Sequence, residues 1–144
     1  MHSQPSERAA VCATIDPFNG NNAATSSDAI DLSKFHEAMF VLLSGAIDST
    51  VDFKLQESAN SDGSSASDIT GKAITQETGG DDDNKQWVIC VKSEELSAGK
   101  RYVKAVATIG NGTTNLIACV GLGVRPRIGP ASDDDLASVS QIVT

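Results

Sequence analysis

The chain has 144 residues, with 11 Lys plus Arg set against 19 Asp plus Glu, a formal net charge of −8. Apolar residues make up 40%, charged residues 21% and aromatics 4%, so a wholly disordered chain is excluded, and the longest apolar run, residues 38–43, is far too short to cross a bilayer. The acidic balance argues against a ligand held by its phosphates, and few rings are available to stack on bases, so neither a nucleic acid nor a membrane is expected as partner.

A length near the modal domain size predicts one domain with its own core. Residues 1–33 show little periodic hydrophobicity and contain Pro5, Pro17, Gly20 and the Asn19 to Asn22 run. They read as an extended N-terminal arm, in which Val11, Ile15 and Phe18 are isolated apolar residues able to anchor on a neighbouring subunit. The stretch has no apolar signal-peptide core.

From Phe35 to Ile47 the apolar spacing fits a helix or a buried strand. Gly45 and the following Asp48-Ser49-Thr50 look like a turn into another strand, which favours strand. Val51, Phe53 and Leu55 alternate with polar residues in a half-buried strand. Residues 58–67 and 79–84 are polar loops by composition. Trp87, Ile89 and Val91 repeat the alternation, and residues 93–96 suit a single helical turn. In residues 102–109 the inward set is Val103, Ala105, Ala107 and Ile109, with Val106 on a second, partly covered side. Asn111-Gly112 reads as a hairpin turn into residues 114–124. After Pro126 the pattern yields no strand until residues 139–143. The expected fold is all-β, an antiparallel β-sandwich or jelly-roll-like barrel over residues 34–128, with an arm before it and a tail over residues 129–144.

The search for catalytic or metal chemistry returns little. His2 lies at the terminus and His36 stands alone in Phe35-His36-Glu37, without a nucleophile elbow. Cys12, Cys90 and Cys119 lack paired zinc spacing; an odd count without a signal peptide suits reduced thiols, and Cys90 and Cys119 sit in apolar runs where a buried role is expected. Asn60, Asp62 and Gly63 imitate part of a calcium loop, but Ser58 and Ile69 occupy its first and twelfth positions, where acids are needed. Asp81-Asp82-Asp83 and Asp133-Asp134-Asp135 read as solvated acidic runs. No catalytic residue, cofactor or metal is expected. Charge is unevenly spread: between residues 86 and 131 stand Lys92, Lys100, Arg101, Lys104, Arg125 and Arg127 against Glu94 and Glu95. Such a segment suits charge-steered docking.

Six segments carry a resemblance. They are Ala29-Ile30-Asp31-Leu32-Ser33-Lys34-Phe35-His36; the apolar strand that follows and ends in Ser44-Gly45-Ala46-Ile47; Asp48-Ser49-Thr50-Val51-Asp52-Phe53-Lys54-Leu55-Gln56-Glu57-Ser58; Ser67-Asp68-Ile69-Thr70-Gly71-Lys72-Ala73-Ile74; Asn84-Lys85-Gln86-Trp87-Val88-Ile89; and Arg101-Tyr102-Val103-Lys104-Ala105. Together, over residues 28–128, they resemble small β-rich virion proteins of tailed bacteriophages, capsid decoration (cement) proteins among them. The resemblance implies a homotrimer on the outer surface of the mature head, made in the bacterial cytoplasm and bridging subunits of the major capsid protein. Val11, Ile15, Phe18, Lys100, Arg101, Lys104, Arg125 and Arg127 are the expected subunit contacts. Two other readings remain: a head–tail connector or tail-tube component, which copy number would distinguish, and a carbohydrate- or receptor-binding β-sandwich.

Overall fold

The computed structural model describes residues 3–80 and 83–144. A short helix α1 (Pro5–Arg8) leads into ten strands among the described residues: β1 (Ala9–Asn19), β2 (Ala23–Ser26), β3 (Ile30–Asp31), β4 (Phe35–Ile47), β5 (Thr50–Ser58), β6 (Ser67–Ala73), β7 (Glu77–Thr78), β8 (Gln86–Lys92), β9 (Tyr102–Ile109) and β10 (Asn115–Pro126).

Taken from the two chain ends inward, first pairs with last. β1 pairs β10, β2 and β3 share one edge of β9, β4 pairs β8, and β6 and β7 share one edge of β5. Two further pairings, β10 with β4 and β9 with β5, roll this long hairpin into two layers. The layers are β1-β10-β4-β8 and β2/β3-β9-β5-β6/β7, and the pairings are antiparallel throughout. This is the connectivity of a jelly-roll β-sandwich.

The core lies between the layers. Val51, Phe53 and Leu55 of β5 meet Phe40 and Leu42 of β4, with Val103, Ala105, Ala107 and Ile109 of β9 beside them, all 1% exposed or less. The period-2 reading of β5, β8 and β9 therefore holds. Gly121 and Gly123 make room in β10: a Cβ at Gly121 would stand 2.6 Å from the Phe40 ring, and one at Gly123 2.5 Å from the Phe35 ring. The two aromatic rings lie where β10 offers bare backbone.

Three expectations are overturned. Of the 33 residues expected as an arm, those described, 3–33, do not form one: β1 is a full edge strand of one layer, β2 and β3 line the edge of the other, and Ala10, Ala13 and Ile15 lie in the core at 1%, 0% and 3% exposure. A register irregularity between Val11 and Ala13 breaks the alternation, which is why β1 has no clean period in the sequence. The Asn111-Gly112 turn does not close a hairpin, because β9 and β10 belong to different layers. Residues 139–143 form no strand; instead a 3-10 turn, Ala131–Asp134, docks against β1.

Candidate functional site

An antiparallel sheet with one face on the core normally turns polar side chains outward. The β2/β3-β9-β5-β6/β7 layer follows this rule at most positions, with Asp52, Lys54 and Gln56 of β5 beside Thr108 and Lys104 of β9; Val106, opposite Lys54, is the apolar exception and is covered to 8% exposure, as expected of a partly covered side. The other layer breaks it. Its cross-strand register sets Val11, Leu122, Met39 and Cys90 in one outward row, and Thr14, Val120, Val41 and Val88 in the next. Ala118 and Leu43 continue the face, and Leu116 stands beyond them. Val88, Leu116 and Leu43 are 55%, 45% and 43% exposed. Charge enters only at the ends of the face, with Asp16 on β1 and, at the other end, Lys92 and Glu37, the latter ion-paired to Arg125 at 2.7 Å. Monomers rarely leave so long an aliphatic face open.

At the end away from Lys92 the face deepens into an open groove of about 380 Å³ lined by Pro17 and Phe18, Leu43 and Gly45, and Leu116 and Ala118. A second cleft, about 450 Å³, opens between β1 and β2 beside Thr14, Asp16, Thr25 and Asp28. Its acids are engaged locally: Asp28 accepts the Thr14 backbone N–H at 3.1 Å and Asp16 the Thr14 hydroxyl at 3.1 Å.

The expected contact residues divide by the structure. Ile15 lies in the core at 3% exposure, away from the surface. Val11 is half-buried on the outward face, its N–H bonded to Asp135 at 2.6 Å and its carbonyl to the Leu136 N–H at 2.8 Å, so the C-terminal turn covers this part of the β1 edge. Phe18 packs against the core while lining the groove. Lys100, Arg101, Lys104, Arg125 and Arg127 gather at one end of the sandwich, since Tyr102 of β9 pairs with Asp31 and Ser58 while Pro126 of β10 pairs with Phe35. Much of that charge is already used within the chain. Arg101 donates twice to Asp31, at 2.7 and 3.1 Å, and Arg127 donates to the Ser93 hydroxyl at 3.0 Å. Burial pushes the Asp31 carboxyl upward, but the Arg101 and Ser33 hydrogen bonds outweigh it and hold the group below the usual range. Lys34 is held above its usual value by its hydrogen bond to Asp134.

The three thiols separate clearly. Cys119 is buried and desolvation pushes its pKa to about 12; desolvation likewise pushes half-buried Cys12 to about 11. Cys90, expected in the core, is exposed on the outward side of β8, because the inward positions go to Ile89 and Val91. Trp87 is half-buried against the core, and its indole N–H reaches Glu77 at 3.3 Å. In the calcium-like loop Asp62 accepts the Ser64 N–H at 2.9 Å, an Asx-type turn. His2, Asp81 and Asp82 lie outside the described residues. Among the described residues no cluster of three or more His, Cys, Asp or Glu is placed to hold a metal ion, and no helix is long and apolar enough to cross a membrane.

Residue-by-residue reading passed over Met39, Val41, Leu43, Val88 and Leu116. Their signal was the uninterrupted apolar run, which marks a strand covered on both faces.

No protein-family model matches the chain, and no curated protein does. Three solved structures share its general shape. A CBM4 structure matches at 13% identity over 72% of this chain and 61% of that one, TM-score 0.43. A structure from Bacillus endospore appendages, a family of disulfide-linked pili, matches at 9% over 87% and 96%, TM-score 0.45. One from infectious bursal disease virus, Gt strain, matches at 8% over 82% and 33%, TM-score 0.44. The chain spans less than two thirds of the CBM4 and viral chains it matches. What defines the class is the chain's own pairing: a jelly-roll β-sandwich with one aliphatic outer face.

Proposed function

We propose that the chain is a non-enzymatic structural protein of a phage particle, a decoration protein that sits on the outside of the head and holds neighbouring capsid subunits together. The observation that carries this reading is the uncharged outer face of the β1-β10-β4-β8 layer. Roughly 25 cal/mol per Å² of apolar surface is recovered when such a face is covered, so a protein bearing it works by being assembled. Contact with several subunits at once multiplies modest contacts through effective concentration, and binding only the finished lattice stabilises that lattice by mass action. The end bearing Lys100, Lys104 and Arg127 supplies steering toward an acidic lattice surface, Arg101 being paired with Asp31.

Cryo-EM of the intact particle, with copy number from quantitative mass spectrometry, tests the reading. Density on the outer shell at near capsid-protein stoichiometry is expected. A single ring of copies at the neck or tail would replace it with a connector, and saturable binding of a host glycan by the isolated chain would replace it with a carbohydrate-binding module.

A further inference from the structure

We infer that the outer face of the β1-β10-β4-β8 layer is covered by the same face of a second copy of this chain, so that the protein is a two-fold dimer through sheet-on-sheet packing. The inference rests on the assembly reading above and gives this face to self-association, which leaves the charged end of the sandwich to meet the capsid. Three observations lead to it.

The strands of this layer are apolar on both sides. β4 sends Phe40 and Leu42 inward and Met39, Val41 and Leu43 outward, and β10 and β8 follow suit. Strands of this kind occur where both faces are buried, and one chain buries only one. A sheet face of Val, Leu and Met side chains has the character of the inner sandwich faces, which pack about 10 Å apart at a shallow angle. It is therefore complementary to itself.

Area agrees. Four strands about 4.8 Å apart, over the rise from Leu116 to Val124 at about 3.4 Å per residue, give a planar footprint of roughly 500 Å². Counted on both copies, this reaches the roughly 1,000 Å² of total buried area that a specific interface needs.

Charge agrees as well. Two chains of net −8 repel each other wherever acids oppose acids. The middle of this face has none, and the end nearest Val124 carries both signs in Lys92, Glu37 and Arg125. A flat face meeting its own image is isologous and closes at two copies. A trimer joined elsewhere would leave it open.

Sedimentation of the full-length chain, in reducing buffer across a hundredfold concentration range, should give twice the 14.9 kDa chain mass. Val88→Lys and Leu43→Glu place charge on side chains that are 55% and 43% exposed in the single chain, so both variants should keep the native circular dichroism and Trp87 emission. Each should weaken association by about a hundredfold or more, because a charge is buried unpaired. Thr108→Lys, on the exposed outer side of the other layer, should stay dimeric. Cys90 supplies a second readout. With Cys12 and Cys119 held as thiols by burial, iodoacetamide near pH 7.5 should modify Cys90, slowly in the dimer and at least about tenfold faster in Leu43→Glu, whose new charge stands beside Gln86 and not beside Cys90. A monomer at all concentrations with fast Cys90 labelling would overturn the inference, and Cys90 protection gained only on intact particles would give the face to a different partner. A dimer that survives both charge variants, or a trimer with Cys90 reactive, would overturn it too.

Discussion

Asn115, the first residue of β10, is 0% exposed and joins three connections. Its Oδ1 accepts the Asp48 N–H at 3.2 Å, the Ser49 N–H at 3.1 Å and the Ser49 hydroxyl at 2.8 Å, while its Nδ2 donates to the Gly20 carbonyl at 3.0 Å. The side chain thus ties the start of β10 to the β4–β5 turn and the β1–β2 turn. In Asn115→Ala the Asp48 N–H keeps the Thr114 carbonyl at 2.9 Å. Half-buried Ser49 can turn to water at some cost, but the Gly20 carbonyl is left buried without its donor. Lost hydrogen bonds at about 1 kcal/mol each, with about 1–3 kcal/mol for the orphaned carbonyl, give a destabilisation of about 3 kcal/mol. For a chain of this size that lowers the melting temperature by roughly 6–12 °C. Asn115→Asp separates the acceptor from the donor role. It keeps the bonds from Asp48 and Ser49 but aims a carboxylate at the Gly20 carbonyl, so it should be at least as damaging as Ala at pH 7. As pH falls the buried carboxyl protonates and can donate, and the Asp variant should recover relative to Ala. Urea unfolding followed by Trp87 fluorescence, at one fixed protein concentration, measures all of these. A loss below about 1 kcal/mol for Asn115→Ala, or equal behaviour of Asp and Ala at pH 7 and pH 4, would refute the hub.

Deleting β1 is the test of its place in the fold. A chain starting at residue 20 loses Ala10, Ala13 and Ile15 from the core and should show no cooperative thermal transition, whereas Ile15→Ala in the whole chain should cost about 2–5 kcal/mol by denaturant titration. Gly121→Val drives a Cβ into the Phe40 ring and should destabilise by roughly 1–3 kcal/mol, with part of the loss recovered when Phe40→Leu is added; strict additivity of the two would count against the contact. The Asp48 carboxyl is held below its usual value by the hydrogen bond from the Thr113 hydroxyl and by the Thr113 and Thr114 N–H groups, Asp68 by Lys54, and Glu95 by the Lys92 N–H. Depressed carboxyls contribute stability that is complete above their unfolded values, near 3.8 and 4.5, and disappears as pH drops through the folded ones. The urea midpoint should therefore hold steady down to about pH 5 and then fall, and the gap between wild type and Asp48→Asn should narrow below about pH 4.

What the sequence made legible were the stretches where local pattern and tertiary role agree. Val51, Phe53 and Leu55 alternate because β5 has one covered face, and residues 35–47 read as strand because the turn at Asp48 stops them. β1 was missed because its alternation is broken between Val11 and Ala13 and again between Ile15 and Phe18, where the register shifts. Pro17 and the small residues around it look like linker until β10 is present to pair with them. The Asn111-Gly112 turn was legible as a turn but not as a crossing between layers, since turn chemistry fixes the reversal and not the partner of the next strand. The charged residues of 101–127 stand out in the sequence as docking charges, yet Arg101 and Arg125 face Asp31 and Glu37 from strands far away in the chain.

The asymmetry between the two layers is the strongest statement in the sequence about function. β5 and β9 place Lys54, Gln56, Lys104 and Thr108 outward, as strands with a wet face should. β4, β8 and β10 place Met39, Val88 and Leu122 at the equivalent positions, within the same fold and the same acidic chain. Structural need alone does not account for this, because the layer would close over the core as well with Thr or Lys in those places. An exposed aliphatic strand face carries an aggregation risk that sequences ordinarily suppress. Retaining the risk in one layer while suppressing it in the other makes sense when a partner covers that layer. The β1 edge fits the same account: the C-terminal turn closes part of it through Asp135 and Leu136, and Asp28 takes the Thr14 N–H. Contact is thereby directed to the face and away from open-ended strand addition. A face meeting a face closes at two copies, where an uncapped edge would keep adding strands.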